Sequence, residues 1–162
     1  MSQLSFGEIS AVLPEEWTVQ GMLTLNLPST DKNVKPNVIV TKEYLPTEVD
    51  LNDYFERIKQ SIQKRGIRDL KISDERDIAL SGIRGKMMVC SWDVSAMMES
   101  MKQKGQQQEL PANIKPGQLV KQIQVTLVKE KMAINMTASF PDERFAEYYK
   151  PFQEFLKSLK IV

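Results

Sequence analysis

The sequence predicts an α+β fold, a β-sheet of about six to seven strands packed with two main helices, and two periodicities carry the prediction. Four segments, Met22 to Leu27, Asn37 to Tyr44, Gln122 to Val128 and Met132 to Phe140, alternate with the two-residue period that sends successive side chains to opposite faces of a strand. Two others, Asp50 to Arg65 and the run that follows Pro141, repeat apolar residues at spacings of three and four, as one face of a helix does. At 162 residues the chain reads as a single domain over 1–162, long enough to bury about two-thirds of its unfolded surface without a metal or disulfide staple.

Taken in order, Ser5 to Leu13 alternates and stops at Pro14-Glu15-Glu16-Trp17, because proline supplies no ladder donor. Trp17 is expected to pack its ring under that corner, with an aromatic clamp on a ligand as the functional alternative. Pro28 to Pro36 is a polar loop into the next strand. Asp50 is placed to cap a helix reaching about Arg65, with Asp53 in its first turn, where the helix dipole favours an acid. Leu51, Tyr54, Phe55, Ile58 and Ile62 make its apolar stripe, and Gly66 ends it.

Ile67 to Leu80 and Ile83 to Val94 read as two strands joined at Ser81-Gly82, where glycine can take a positive φ. Residues 95–118 then break the pattern. Met97, Met98 and Met101 stand at helical spacing, a glutamine-rich stretch follows, and the segment ends between Pro111 and Pro116. It reads as an exposed insertion in a strand-to-strand connection, whose methionines serve as packing or as an adaptable apolar lip for a partner. The last helix opens at Pro141-Asp142-Glu143 and carries Phe145, Tyr148, Tyr149, Phe152, Phe155, Leu156 and Leu159. Pro151 inside it is expected to kink or split it.

The alternation sorts the four main strands into two faces. Leu23, Leu25, Leu27, Val38, Val40, Ile123, Val125, Leu127, Ile134 and Met136 form an ordinary core face. The opposite face reads Met22, Thr24, Asn26, Asn37, Ile39, Thr41, Gln122, Gln124, Thr126, Ala133, Asn135, Thr137 and Ser139, all uncharged. In a chain that is 27% charged, a water-facing sheet surface of that extent would hold several Lys, Arg, Asp or Glu. Something other than bulk water is therefore expected to meet it: a ligand, a second layer of helices or another copy of the chain, and these covers can coexist.

Several function classes are disfavoured. The chain has no histidine, which removes Ser-His-Asp and Cys-His arrangements and histidine metal sites. It has no glycine-rich phosphate loop, and carboxylate pairs such as Asp74 with Asp77, or Glu15 with Glu16, sit in polar turn-like surroundings as solvated charge. No enzymatic activity, cofactor or metal is expected. Lys and Arg total 22 against 21 Asp and Glu, without a long block of either sign, so nucleic acid is not an expected partner. The single cysteine, Cys90, lies in an apolar run and reads as a buried thiol. No signal-peptide pattern or apolar run long enough to span a bilayer is visible, so a soluble, cytoplasmic protein that does not insert into membranes is expected.

Ile9-x-x-x-Leu13-Pro14-x-x-Trp17, Leu25-x-Leu27-Pro28 and Val38-Ile39-Val40-Thr41-Lys42-Glu43, ahead of a helix with Asp53-Tyr54, resemble the DcrB-like domain family over Phe6 to Leu159. Within it the chain is most similar to Eag-type chaperones that accompany Rhs and related effectors of bacterial type VI secretion. The resemblance implies a PsbP-like sandwich on a twisted antiparallel sheet. It also implies a homodimer whose curved sheets cradle the N-terminal transmembrane helices of a secreted, Rhs-like toxin.

Matched by strand, the cradle positions are Met22, Thr24, Asn37, Ile39, Thr41 and Gln124, within the uncharged face; the full candidate groove adds Asn26, Gln122 and Thr126. The insertion at 95–118 and the threonine at Thr24, where the family tends to be more apolar, depart from the pattern. A stand-alone accessory module of DcrB or PsbP type that docks on a folded complex is the alternative reading.

Overall fold

A six-stranded antiparallel sheet in the order β3-β4-β8-β7-β6-β5 organises the molecule, with a separate two-stranded hairpin, β1-β2, before it. The strands are β1 (Ser2–Phe6), β2 (Ile9–Leu13), β3 (Gly21–Asn26), β4 (Asn37–Tyr44), β5 (Lys71–Leu80), β6 (Ile83–Asp93), β7 (Leu119–Lys129) and β8 (Met132–Pro141). Helix α1 (Leu51–Gln63) connects β4 to β5, and helix α2 (Phe145–Ser158) closes the chain after a 3₁₀ turn at Asp142–Arg144. This computed structural model describes residues 2–29, 35–65, 67, 70–95 and 117–161. Gly66, Met97, Met98, Met101 and nearly all of the 95–118 insertion lie outside the described residues.

The two helices cover opposite faces of the sheet. Against α2, Val38, Ile123, Val125, Leu127, Met136, Ala138 and Phe140 pack on Tyr148, Phe152 and Leu156, with Leu25, Leu27, Val40 and Ile134 partly buried around them. This is the core face expected from the alternation. Phe140 is its centre: its ring stacks on Tyr148 at 5.4 Å and meets Phe152 edge-on at 6.0 Å. Gly85 on β6 faces the same side, where a Cβ would collide with Leu127 and lie 2.7 Å from the Thr126 carbonyl oxygen, so the missing side chain lets Leu127 pack. On the other face, Phe55 and Ile62 of α1 bury Met88, Cys90, Trp92 and Val120.

Local signals set the element ends. The Asp50 carboxylate accepts hydrogen bonds from the Asn52 and Asp53 amides at 2.8 and 3.3 Å, the expected cap. Ser81 and Gly82, with φ of 51° and 75°, make the two-residue turn between β5 and β6.

Four expectations are corrected. Ser5 to Leu13 is not one strand: Gly7, at φ 55°, turns the chain so that β1 and β2 pair from Ser2↔Leu13 to Phe6↔Ile9. Trp17 does not pack under the corner, being 67% exposed. Pro151 does not split α2, which runs unbroken through it, because the buried stripe of Tyr148, Phe152 and Leu156 outweighs the lost backbone bond. α1 stops at Gln63, short of Arg65, whereas Pro141, the last residue of β8, caps the 3₁₀ turn that leads into α2.

The hairpin register places Leu4, Phe6, Ile9, Ala11 and Leu13 on one face. Phe6 is 51% and Ile9 61% exposed.

Candidate functional site

Strand register gathers every candidate groove residue on the α1 side of the sheet, in three rows. Asn26, Asn37, Ser139 and Gln122 form the first; Thr24, Ile39, Thr137 and Gln124 the second; Met22, Thr41, Asn135 and Thr126 the third. The rows continue on β6 into Cys90, Met88 and Lys86, the first two fully buried beneath α1. The uncharged face is thus half covered and half open. Gln122, Gln124 and Thr126 on β7 are buried, Asn37, Ile39 and Thr41 on β4 are half-buried, and Met22, Thr24 and Asn26 on β3 are exposed, Met22 at 71%. The second layer of helices expected as one cover is therefore real, but α1 packs over β5, β6 and β7, reaches β8 and the end of β4 through Tyr54, and leaves β3 and most of β4 open.

Under the covered half the polar side chains answer one another across strands. Thr126 donates to Asn135 Oδ1 at 2.8 Å, Thr137 to Gln124 Oε1 at 2.7 Å, and Gln122 Nε2 to Ser139 Oγ at 3.1 Å. Asn135 Nδ2 donates to the Tyr54 hydroxyl at 2.9 Å, and that hydroxyl donates to Glu43 Oε1. Threonine, asparagine and glutamine therefore satisfy a buried sheet surface without charge, which is costly to enclose. Glu43 corrects the reading of a face free of charge to its end: it follows Thr41 with the same side-chain parity, pairs with Ala133, and is held at the exposed end of β4 by the phenol.

Beside α1 the open half deepens into a cleft of about 170 Å³. Ile58, Ser61, Ile62 and Arg65 form its helical wall, and Thr41, Gln124, Asn135 and Thr137 its floor. A ligand lying along β4 would meet methyl groups, hydroxyls and amides on the sheet, with Arg65 on the helical wall beside it. Thr126, with no exposed surface, can act only through Asn135. The helical wall and Tyr54 were missed by strand alternation; the phenol in the otherwise apolar stripe Leu51, Phe55, Ile58, Ile62 was the available signal, since a buried hydroxyl needs a polar partner opposite it.

Burial displaces two ionisable groups on this side. Burial, then the Glu43 hydrogen bond, pushes the Tyr54 phenol from 10.0 up to about 12, and burial pushes the Cys90 thiol from 9.0 up to about 11. Both keep their protons in the fold at pH values where the unfolded chain has lost them. The folded state then binds more protons, so stability is expected to fall as pH rises from about 9 to about 12, and neither group contributes a slope below that window. Tyr54→Phe should remove the upper part of that decline. At neutral pH it leaves Asn135 without its acceptor and should cost about 1–3 kcal/mol. Thermal melts of both proteins across the pH range check this; equal alkaline profiles would remove Tyr54 from the account.

A family model described as DcrB matches residues 8–158. The chain belongs to the DcrB family. Among solved structures it is similar to PA94, a protein of unknown function from Pseudomonas aeruginosa, with a TM-score of 0.69 at 14% identity over 100% of this chain and 97% of that one. At that identity the shared property is the fold. The cyanobacterial PsbP of Synechocystis sp. PCC 6803 superposes with a TM-score of 0.45 at 9% identity over 94% of this chain and 86% of that one, which adds no weight to the assignment. No curated protein matches the sequence. Among the described residues no helix is long and apolar enough to cross a membrane.

Proposed function

We propose that this DcrB-family protein is a cytoplasmic holding chaperone, a homodimer that shields the apolar N-terminal helices of a secreted, Rhs-like effector before type VI export. The observation that supports the reading best is the open, uncharged half of the sheet beside α1. Ile39 and Met22 offer apolar contact there, while Thr24, Thr41 and Thr137 offer hydroxyls. A membrane-spanning helix needs about twenty apolar residues, which would aggregate in water, and it carries small and hydroxylated residues that hydrogen-bond to neighbouring helices in the bilayer. A mixed groove can substitute for such a neighbour. Each polar contact between helices is worth only about 0.5–2 kcal/mol, so holding comes from many contacts and release stays possible. Binding without chemistry, cofactor or nucleic acid is the whole of the assigned role.

The test is co-expression of the chain with a tagged effector N-terminus that contains its hydrophobic segments. Soluble recovery of the tagged segment in a stoichiometric complex is the expected result. A segment that stays insoluble with the chain present, while the chain binds a folded complex instead, would replace this reading with the accessory-module one.

A further inference from the structure

The two edges of the six-stranded sheet are treated differently. The β5 edge carries Lys71, Asp74, Glu75, Arg76 and Asp77, and its pairing with β6 shifts register between Ser73 and Arg76. Charges and a bulge are the usual means of stopping one sheet from adding to another. The β3 edge has neither: Gly21–Asn26 is uncharged, its pairing with β4 is unbroken from Gly21↔Lys42 to Asn26↔Asn37, and no strand pairs with its outer side among the described residues. An unguarded edge of this kind is a site for strand addition.

We infer that β3 pairs antiparallel with β3 of a second copy, the two-fold axis passing at Thr24, so that two sheets become one. The sequence is self-complementary about that point. Thr24 meets the partner's Thr24, a favourable cross-strand pair, and Leu23 meets the partner's Leu25, which covers the two leucines that are only partly buried in one copy. Met22 meets the partner's Asn26, and no like charges oppose one another.

Six residues of strand fall short of the roughly 1,200 Å² that a stable interface buries. Phe6, Ile9 and Trp17, all more than half exposed, lie on the hairpin and linker that lead into β3 and offer the remaining apolar surface. An isolated two-stranded hairpin is marginal in water, and contact with the second copy would supply the cover that β1-β2 lacks in one. Joined in this way, the open rows of the two copies run on through Thr24 into one uncharged surface. The inference rests on the homodimer reading above and specifies its seam.

Single-cysteine scanning of the chain alone tests it, because Cys90 is fully buried and serves as a silent background. In the proposed register Thr24 lies about 5 Å from its copy and Met22 about 14 Å from its own. A short bis-maleimide should therefore convert Thr24→Cys almost completely to a species of twice the mass. Met22→Cys should give no covalent dimer when treated alone and should cross-link when mixed with Asn26→Cys. Absence of the Thr24→Cys product, self-linking of Met22→Cys to the same extent, or a parent chain of single mass by light scattering at tens of micromolar would each overturn the seam. None of these readouts involves cargo, so a chain that cross-links at Thr24 but keeps no apolar segment soluble sinks the chaperone reading alone.

Discussion

Ile39→Asp is expected to leave the domain folded and to weaken its hold on an apolar helix by at least about a hundredfold, since several kcal/mol are needed to bury an unpaired carboxylate. Ile39 lies in the middle row of the uncharged face, between Thr24 and Thr137, and is half-buried on the side away from the α2 core. In the free protein the new carboxylate keeps much of its water. With a helix seated over β4 it would lose that water, and the penalty would exceed several of the small contacts that hold the cargo.

Ile39→Asn separates charge from shape, and should retain binding within about tenfold because an amide can still find partners. Circular dichroism and melting establish the fold of both variants, and soluble yield of a co-expressed effector N-terminus reads the holding. If Ile39→Asp melts like the parent and still keeps the segment soluble, β4 does not line the site. Thr24 is a less clean position for this test, since it stands on the edge strand, where a charge would also act on strand pairing.

Period-two alternation exposed the division of the sheet because one face is apolar and the other is polar: a one-residue slip would have exchanged Val38 and Val125 for Asn37 and Gln124. Asp50 and Ser81-Gly82 were legible for a similar reason, each acting on its own backbone within a few residues. What alternation could not supply is partnership at a distance. The stripe Leu51, Tyr54, Phe55, Ile58, Ile62 says that α1 buries one side, but not which half of which sheet face receives it. The covered and open parts of the groove were therefore read as one. The same limit hid the bonds from Thr126 to Asn135 and on to Tyr54, whose residues lie 9 and 81 positions apart.

Local rules also misled where tertiary packing or chain reversal prevailed. Pro151 argued for a broken helix, yet the aromatic stripe around it is held against Phe140. Ser5 to Leu13 alternates through Gly7, and the period alone cannot distinguish a strand that continues from one that turns back.

Phe140→Ala should have the opposite profile to Ile39→Asp, with a large loss of stability and little loss of binding in whatever remains folded. Phe140 is completely buried at the end of β8, and its ring lies 5.4 Å from Tyr148, 6.0 Å from Phe152 and 6.2 Å from Phe145. Truncation removes the ring that ties α2 to the sheet and leaves a cavity that three aromatic neighbours cannot close without leaving their own contacts. The cost expected of such a change is about 3–5 kcal/mol, a large share of the roughly 5–15 kcal/mol that holds a domain together. For a chain of this size that corresponds to a melting temperature lower by about 6–20 °C.

Phe140→Leu, which fills part of the space, should recover some of that loss. Because Phe140 faces α2 and the groove lies across the sheet under α1, cargo retention measured well below the variant's melting temperature should match the parent's. A melting temperature within about 2 °C of the parent would remove the α2 aromatic cluster as the main core. Lost binding in a folded Phe140→Ala protein would place the site on the wrong face of the sheet.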